Sequence, residues 1–206
     1  MMLNEFFTGV LLKQRGLDIR KEIFRKSIHL CTAFVPFFLA RFYFTTLWLL
    51  MLCLVFYCIF EFLRLGGKKV PFISAITAAA ARKRDENKFV MGPVTLVLGI
   101  ISAAILWKQI PAAVGIYALG FGDGLASLVG KLCGRIRIPF TNGKTVAGSL
   151  ACFAAVFISS LLMLHSVSAA LVIGFAAMAI ELLPLKDFDN LFIPVLTGGL
   201  AQFILA

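Results

Sequence analysis

Asp123 stands in the run Phe121-Gly122-Asp123-Gly124-Leu125-Ala126-Ser127-Leu128-Val129-Gly130-Lys131, a carboxylate inside an otherwise apolar segment. A charged side chain within a membrane span costs about 2.5 to 3.5 kcal/mol on insertion scales, so it persists where it faces a partner, a metal or a water-filled site. On a helix Asp123, Ser127 and Lys131 are spaced i, i+4, i+8 and share one face. Gly122 and Gly130 thin the surface beside them, which admits either a phosphate or simply a neighbouring helix. The second chemical block is Asn142-Gly143-Lys144-Thr145-Val146-Ala147-Gly148-Ser149, read as the turn into a helix. A helix N-terminus offers unpaired N–H groups and a positive dipole end, and Lys144 adds a full charge, so Lys144, Thr145, Gly148 and Ser149 form a candidate phosphate cradle. The plain alternative is a turn with an ordinary helix cap. Neither lysine completes the G-x-x-x-x-G-K-[ST] pattern of a P-loop: Leu132 follows Lys131, and Ile138 stands where the first glycine before Lys144 is needed.

Three further groups of polar residues interrupt the apolar sequence. Arg25, Lys26 and His29 enter the first helix, with Arg25 and His29 one turn apart; they suit either a site or a basic membrane anchor. Glu61 and Arg64 close the second helix at i, i+3, a spacing that also makes a simple ion pair. Glu181, Asp187, Asp189 and Asn190 surround a late turn and offer hard oxygen ligands for Mg²⁺, unless they form a solvated acidic turn.

These residues need elements to position them, and composition says which. Of the 206 residues 61% are hydrophobic, well above the roughly 45 to 50% of a soluble domain. The chain is read as one integral membrane domain over residues 1–206, an all-α helix bundle. With about 20 helical residues needed per crossing, the apolar stretch 28–63 divides near Arg41, 89–129 divides at Trp107-Lys108, and 146–183 divides at His165-Ser166. Residues 191–206 add a last span, giving about seven transmembrane helices. With the N-terminus cytoplasmic, only Arg41 and Lys108 of the 20 Lys and Arg fall on the far side, as the positive-inside rule expects. The net charge of +10 then reflects topology and anionic lipid, and nucleic acid is not expected as a partner. The five cysteines form no C-x-x-C pair and read as buried apolar residues. No basic region precedes the short apolar run 6–12, so no cleavable signal peptide is expected. Residues 70–84 read as an amphipathic surface helix.

Taken together, Arg25-Lys26-Ser27-Ile28-His29, Glu61 with Arg64, Glu86 followed by Gly92-Pro93, Gly122-Asp123 through Gly130-Lys131, Lys144-Thr145 with Gly148-Ser149, and Glu181 with Asp189-Asn190 and Pro194 resemble the polyprenol kinase family, which includes dolichol kinase, phytol kinase and the CTP-dependent diacylglycerol kinase. The Gly-Asp and Lys-Thr blocks are also similar to those of phosphatidate cytidylyltransferase. That enzyme is expected to carry a Pro-Gly-His-Gly-Gly block and a closing Asp-Arg pair, whereas here Asp189-Asn190 runs directly into the last helix. In the block after Lys-Thr the family often has an acid where this chain has Ala147.

The resemblance implies transfer of the γ-phosphoryl group of CTP, or else ATP, to the hydroxyl of a membrane lipid alcohol at the cytoplasmic face. In that reading Asp123 and Asp189, with Glu181, hold Mg²⁺ on the triphosphate, and Lys131 and Lys144 neutralise its oxygens. His29 or a carboxylate takes the alcohol proton, with Arg25, Lys26, Glu61, Glu86 and Asn190 in support. The competing readings are a cytidylyltransferase that makes a CDP-lipid and a non-catalytic membrane protein that uses Asp123 as an ion site.

Overall fold

The computed structural model describes residues 19–68 and 88–206; Glu86 and the expected surface helix over 70–84 lie outside the described residues. The helices begin and end where local chemistry requires. Helix α1 (Ile19–Arg41) tightens into a 3₁₀ turn at Thr32–Phe34, where Val35 N–H bonds the Thr32 carbonyl. Pro36 in the next turn has no N–H to offer that carbonyl, so the tighter bond takes its place. Phe42 (φ −139°) breaks the chain before α2 (Tyr43–Leu65). Helix α3 (Gly92–Leu106) opens with Pro93 in its first turn, where a missing N–H costs nothing. The extended pair Trp107-Lys108 separates α3 from α4 (Gln109–Cys133). Helix α5 (Val146–Leu164) ends on His165 in the left-handed region, and Ser166 caps α6 (Val167–Leu182) by accepting from Ala169 N–H at 3.4 Å. Helix α7 (Asp189–Ile204) completes the bundle.

Among the described residues there are thus seven helices and no strand, and the three expected interruptions fall at Phe42, Trp107-Lys108 and His165-Ser166. Seven crossings are another matter. Only α1, α2, α4 and α5 are long and apolar enough to cross a membrane. Helices α3, α6 and α7 have 15, 16 and 16 residues. At 1.5 Å per residue these reach only about 22 to 24 Å, short of a hydrocarbon core about 30 Å thick.

Helix α4 is the centre of the bundle: 67% of its most apolar window is buried, against 17% for α2. Helix α7 crosses it so closely that a Cβ at Gly115 would lie 2.2 Å from the Pro194 carbonyl oxygen. The indole of Trp107 seals the other end of that contact by donating to the Val195 carbonyl at 2.9 Å. Leu119, Ile116, Ile100, Val156, Ile173 and Ile193 fill the space between α3, α4, α5, α6 and α7. Small residues at helix crossings and larger aliphatics between them are the packing expected where lipid removes the hydrophobic drive for association. The outside is correspondingly apolar: Phe44, Trp48 and Phe62 are among many large side chains left exposed, a surface suited to lipid chains.

Candidate active site

Within α4 the segment Ala118–Asp123 is wound as a π-helix. Such turns displace backbone register and concentrate at functional sites. Here the turn ends on Asp123, which is 4% exposed. Lys26 Nζ donates to Asp123 Oδ2, and His29 Nδ1 lies 3.0 Å from the same oxygen. The His29 contact is one of charge and proximity, because its ring N–H direction finds no acceptor. Burying an ion costs several kcal/mol unless a partner compensates it, and the Lys26 ammonium is that partner.

In front of Asp123 lies a cavity of about 380 Å³ at one end of the bundle. Five elements meet there. Helix α1 contributes Glu22 and Arg25, α4 contributes Asp123, Ser127, Gly130 and Lys131, and α5 contributes Gly148 and Ser149. The end of α6 brings Glu181, and the start of α7 brings Asp189 after Lys186 in the preceding turn. The i, i+4, i+8 face predicted for Asp123, Ser127 and Lys131 therefore exists and lines one wall. Its charges are cross-linked. Glu22 accepts from both Arg25 and Lys131. Lys144 Nζ lies 3.1 Å from Glu181 Oε1, and Ser149 Oγ lies 3.5 Å from Glu181 Oε2.

Lys144 reaches the cavity through a hairpin-like return between α4 and α5. Ile138 N–H bonds the Lys144 carbonyl at 2.8 Å, and Val146 N–H bonds the Ile136 carbonyl at 3.0 Å. The reversal places Asn142 (φ 56°) and Gly143 (φ 86°) in the left-handed region, which a glycine enters without strain. Thr145 then caps α5: its Oγ1 accepts from Gly148 N–H at 3.2 Å. This alters the expected phosphate cradle. With Val146 and Gly148 N–H already bonded, little of the helix N-terminus is left for an anion. Lys144 and the Asn142-Gly143 turn present themselves to the cavity instead.

The predicted residues fall into two sets. Asp123, Lys131, Lys144, Thr145, Gly130, Gly148, Ser149, Glu181, Asp189 and Arg25 line the cavity together. Gly130 and Gly148 also let α4 and α5 touch, since a Cβ on either would crowd the Thr145 hydroxyl, at 2.9 and 3.2 Å. The others stand back from it. Gly122 faces α5, where a Cβ would meet Val156 Cγ2 at 2.7 Å. Lys26 and His29 lie behind Asp123 and do not line the wall. Glu61, completely buried, makes the anticipated pair with Arg64 at 2.8 Å and accepts from Val90 N–H at 2.9 Å, tying the end of α2 to the approach to α3. Asn190 Nδ2 donates to Gly92 O at 3.3 Å and Thr95 Oγ1 at 3.2 Å, fixing the start of α7 on α3.

Glu22 and Lys186 were not anticipated. Glu22 had a legible signal: with Arg25, Lys26 and His29 it occupies positions i, i+3, i+4, i+7, one stripe of a helix. Lys186 (φ 58°) sits in a turn whose shape no local pattern announces.

Among the described residues no three His, Cys, Asp or Glu side chains converge into a ready-made metal site. Mg²⁺ does not demand one, because it binds through one or two carboxylates with substrate phosphates and water. Asp123, Glu181 and Asp189, hard oxygen donors on one cavity wall, suit that arrangement.

Fold and site together define a membrane-type helix bundle with a charge-lined, anion-accepting cavity at one end. No family model matches the chain, and no solved structure matches it. Farnesol kinase, chloroplastic, of Arabidopsis thaliana is 32% identical over 141 residues, covering 61% of this chain and 46% of that protein. Probable phytol kinase 1, chloroplastic, of Glycine max is 27% identical over 161 residues, covering 68% and 53%. Phytol kinase 1, chloroplastic, of Arabidopsis thaliana is 26% identical over 153 residues, covering 65% and 50%. The chain spans about half the length of the curated relatives it matches. It is a homologue of the farnesol and phytol kinases, and the resemblance to the polyprenol, or lipid-alcohol, kinase family is borne out.

Proposed function

We propose that this chain transfers the γ-phosphoryl group of a nucleoside triphosphate, CTP in preference to ATP, to the hydroxyl of a membrane lipid alcohol, such as a polyprenol, a phytol-like alcohol or diacylglycerol. One observation carries the reading: carboxylates and ammonium groups from five helices converge on a single cavity at the end of an apolar bundle. Phosphoryl transfer depends on positioning and charge neutralisation more than on covalent chemistry. Lys131, Lys144 and Arg25 would receive the phosphate oxygens, exchanging their present contacts with Glu22 and Glu181 for the triphosphate. Asp123, Glu181 and Asp189 would hold Mg²⁺, which neutralises charge developing on the transferred group when bound. A carboxylate of the cavity takes the alcohol proton. His29, suggested for that role by the resemblance, sits behind Asp123 and with Lys26 fixes its orientation. The lipid enters laterally between apolar helix faces, so its hydroxyl meets the nucleotide at the cytoplasmic membrane surface.

The test supplies the purified protein with Mg²⁺, mixed polyprenol, phytol, diacylglycerol and phosphatidate, and CTP labelled at the α- or the γ-phosphate, with γ-labelled ATP in parallel. Label passing to lipid from γ-CTP alone supports the proposal and identifies the alcohol. Transfer from α-CTP alone makes the protein a cytidylyltransferase. Absence of transfer from any donor, with no nucleotide-dependent stabilisation, leaves the ion-site reading.

A further inference from the structure

A second cavity, of about 430 Å³, lies at the opposite end of the bundle. The placement follows from chain direction: α1 and α4 meet the first cavity with the start of α1 and the end of α4, and meet the second with the end of α1 and the start of α4. Its wall is mostly apolar, formed by Leu39, Ala104, Ile105, Trp107, Ala112 and Ala113. Its size is within the roughly 300 to 1,000 Å³ of small-molecule sites. Two polar side chains on that wall are accounted for internally: Tyr43 donates to the Ala104 carbonyl at 2.9 Å and Trp107 to the Val195 carbonyl at 2.9 Å. An occupant therefore meets a hydrocarbon lining.

The rim has the opposite character. Arg41 follows the lining residue Ala40 after one peptide bond, and Lys108 stands between the lining residues Trp107 and Gln109. Both are exposed. They are also the two basic residues that the charge count assigns to the far side of the membrane, so the only Lys and Arg expected there flank one apolar cavity. Scattered anchors would not need that coincidence. Basic side chains beside a hydrocarbon pocket complement a molecule with an anionic head and an apolar chain.

We infer that this cavity binds an anionic glycerophospholipid of the leaflet opposite the reaction, its acyl chain between α1, α3 and α4 and its phosphate against Arg41 and Lys108. The site does not depend on the kinase reading. It does act on the same framework, because Trp107 joins the cavity to the α4–α7 crossing that leads to Asp189.

Trp107 is one of two tryptophans, the other being Trp48 on the lipid-facing surface, so it serves as a reporter. The full-length Trp48→Phe protein is reconstituted into phosphatidylcholine vesicles containing increasing fractions of chain-brominated phosphatidylglycerol, or brominated phosphatidylcholine as control. Site binding quenches Trp107 at low mole fractions of the brominated anionic lipid and saturates. The control then needs at least a fivefold higher fraction for equal quenching. Arg41→Gln with Lys108→Gln, both surface changes, removes that difference, and Ala104→Phe abolishes saturation by filling the cavity. Identical curves for the two lipids, or an unchanged difference in the charge variant, would overturn the inference.

Discussion

Asp123 is the residue on which the site turns, because it is the carboxylate shared by the buried α1–α4 contact and the cavity wall. Asp123→Asn removes the charge while keeping the shape. We expect turnover to fall by at least about 100-fold, the scale of losing a positioned electrostatic group, with the protein still folded by circular dichroism and gel filtration. Near-normal turnover in that variant would refute the metal role. Lys144 tests the nucleotide side. Lys144→Met withdraws a charge from the phosphates and leaves the buried Glu181 without its ammonium partner. We expect kcat/KM for the nucleotide to drop at least about tenfold, equivalent to about 1.4 kcal/mol. Stabilisation by added nucleotide, read as a Tm shift, should shrink in parallel; retention of the full shift would remove Lys144 from the phosphate site.

At the scale of elements, the hairpin between α4 and α5 and the α4–α7 crossing do the positioning. Thr145→Ala removes the cap on α5, a loss of about 1 kcal/mol. For a chain of this size that lowers Tm by about 2 to 4 °C, a shift thermal unfolding in detergent can resolve. An unchanged Tm would mean that the cap hydroxyl contributes nothing to the helix start. Gly115→Val is more severe, since its Cβ would stand 2.2 Å from the Pro194 carbonyl oxygen. Overpacking of this kind costs about 1 to 3 kcal/mol or more. It should displace α7 and carry Asp189 and Asn190 with it, so activity falls along with Tm; wild-type activity at wild-type Tm would show that the crossing is not that tight. The helix boundaries were largely legible beforehand, because Pro, Gly and charged breakers act through backbone geometry within a few residues. The helix-cap chemistry of Thr145 was legible too, but not that it would occupy the N–H groups offered to a phosphate. That depends on where the chain returns from Ile136 and Ile138.

For the whole molecule, the bundle has two ends of different character, and orientation follows from which end faces the cytoplasm. Cys133, exposed at the end of α4 beside the first cavity, makes this measurable. In sealed vesicles of known sidedness, a membrane-impermeant maleimide should label Cys133 only from the cytoplasmic side. A Lys108→Cys substitution in a background with all five cysteines replaced should be labelled only from the other. The reverse pattern would invert the topology drawn from the charge count. The sequence by itself determined that the chain is a helical membrane-type bundle, where its helices break, and that Asp123, Lys131, Lys144, Glu181 and Asp189 are the residues suited to phosphate chemistry. These follow from hydropathy, breaker residues and the cost of charge in an apolar run, all of them local properties. Only the tertiary structure decided that Glu22 joins Arg25 to Lys131, that His29 stands behind Asp123 rather than in the cavity, and that Glu61 and Asn190 fasten helices together. Those partners lie up to 109 residues apart in the chain, and which of them meet depends on helix crossing and rotation, set by packing across the whole core.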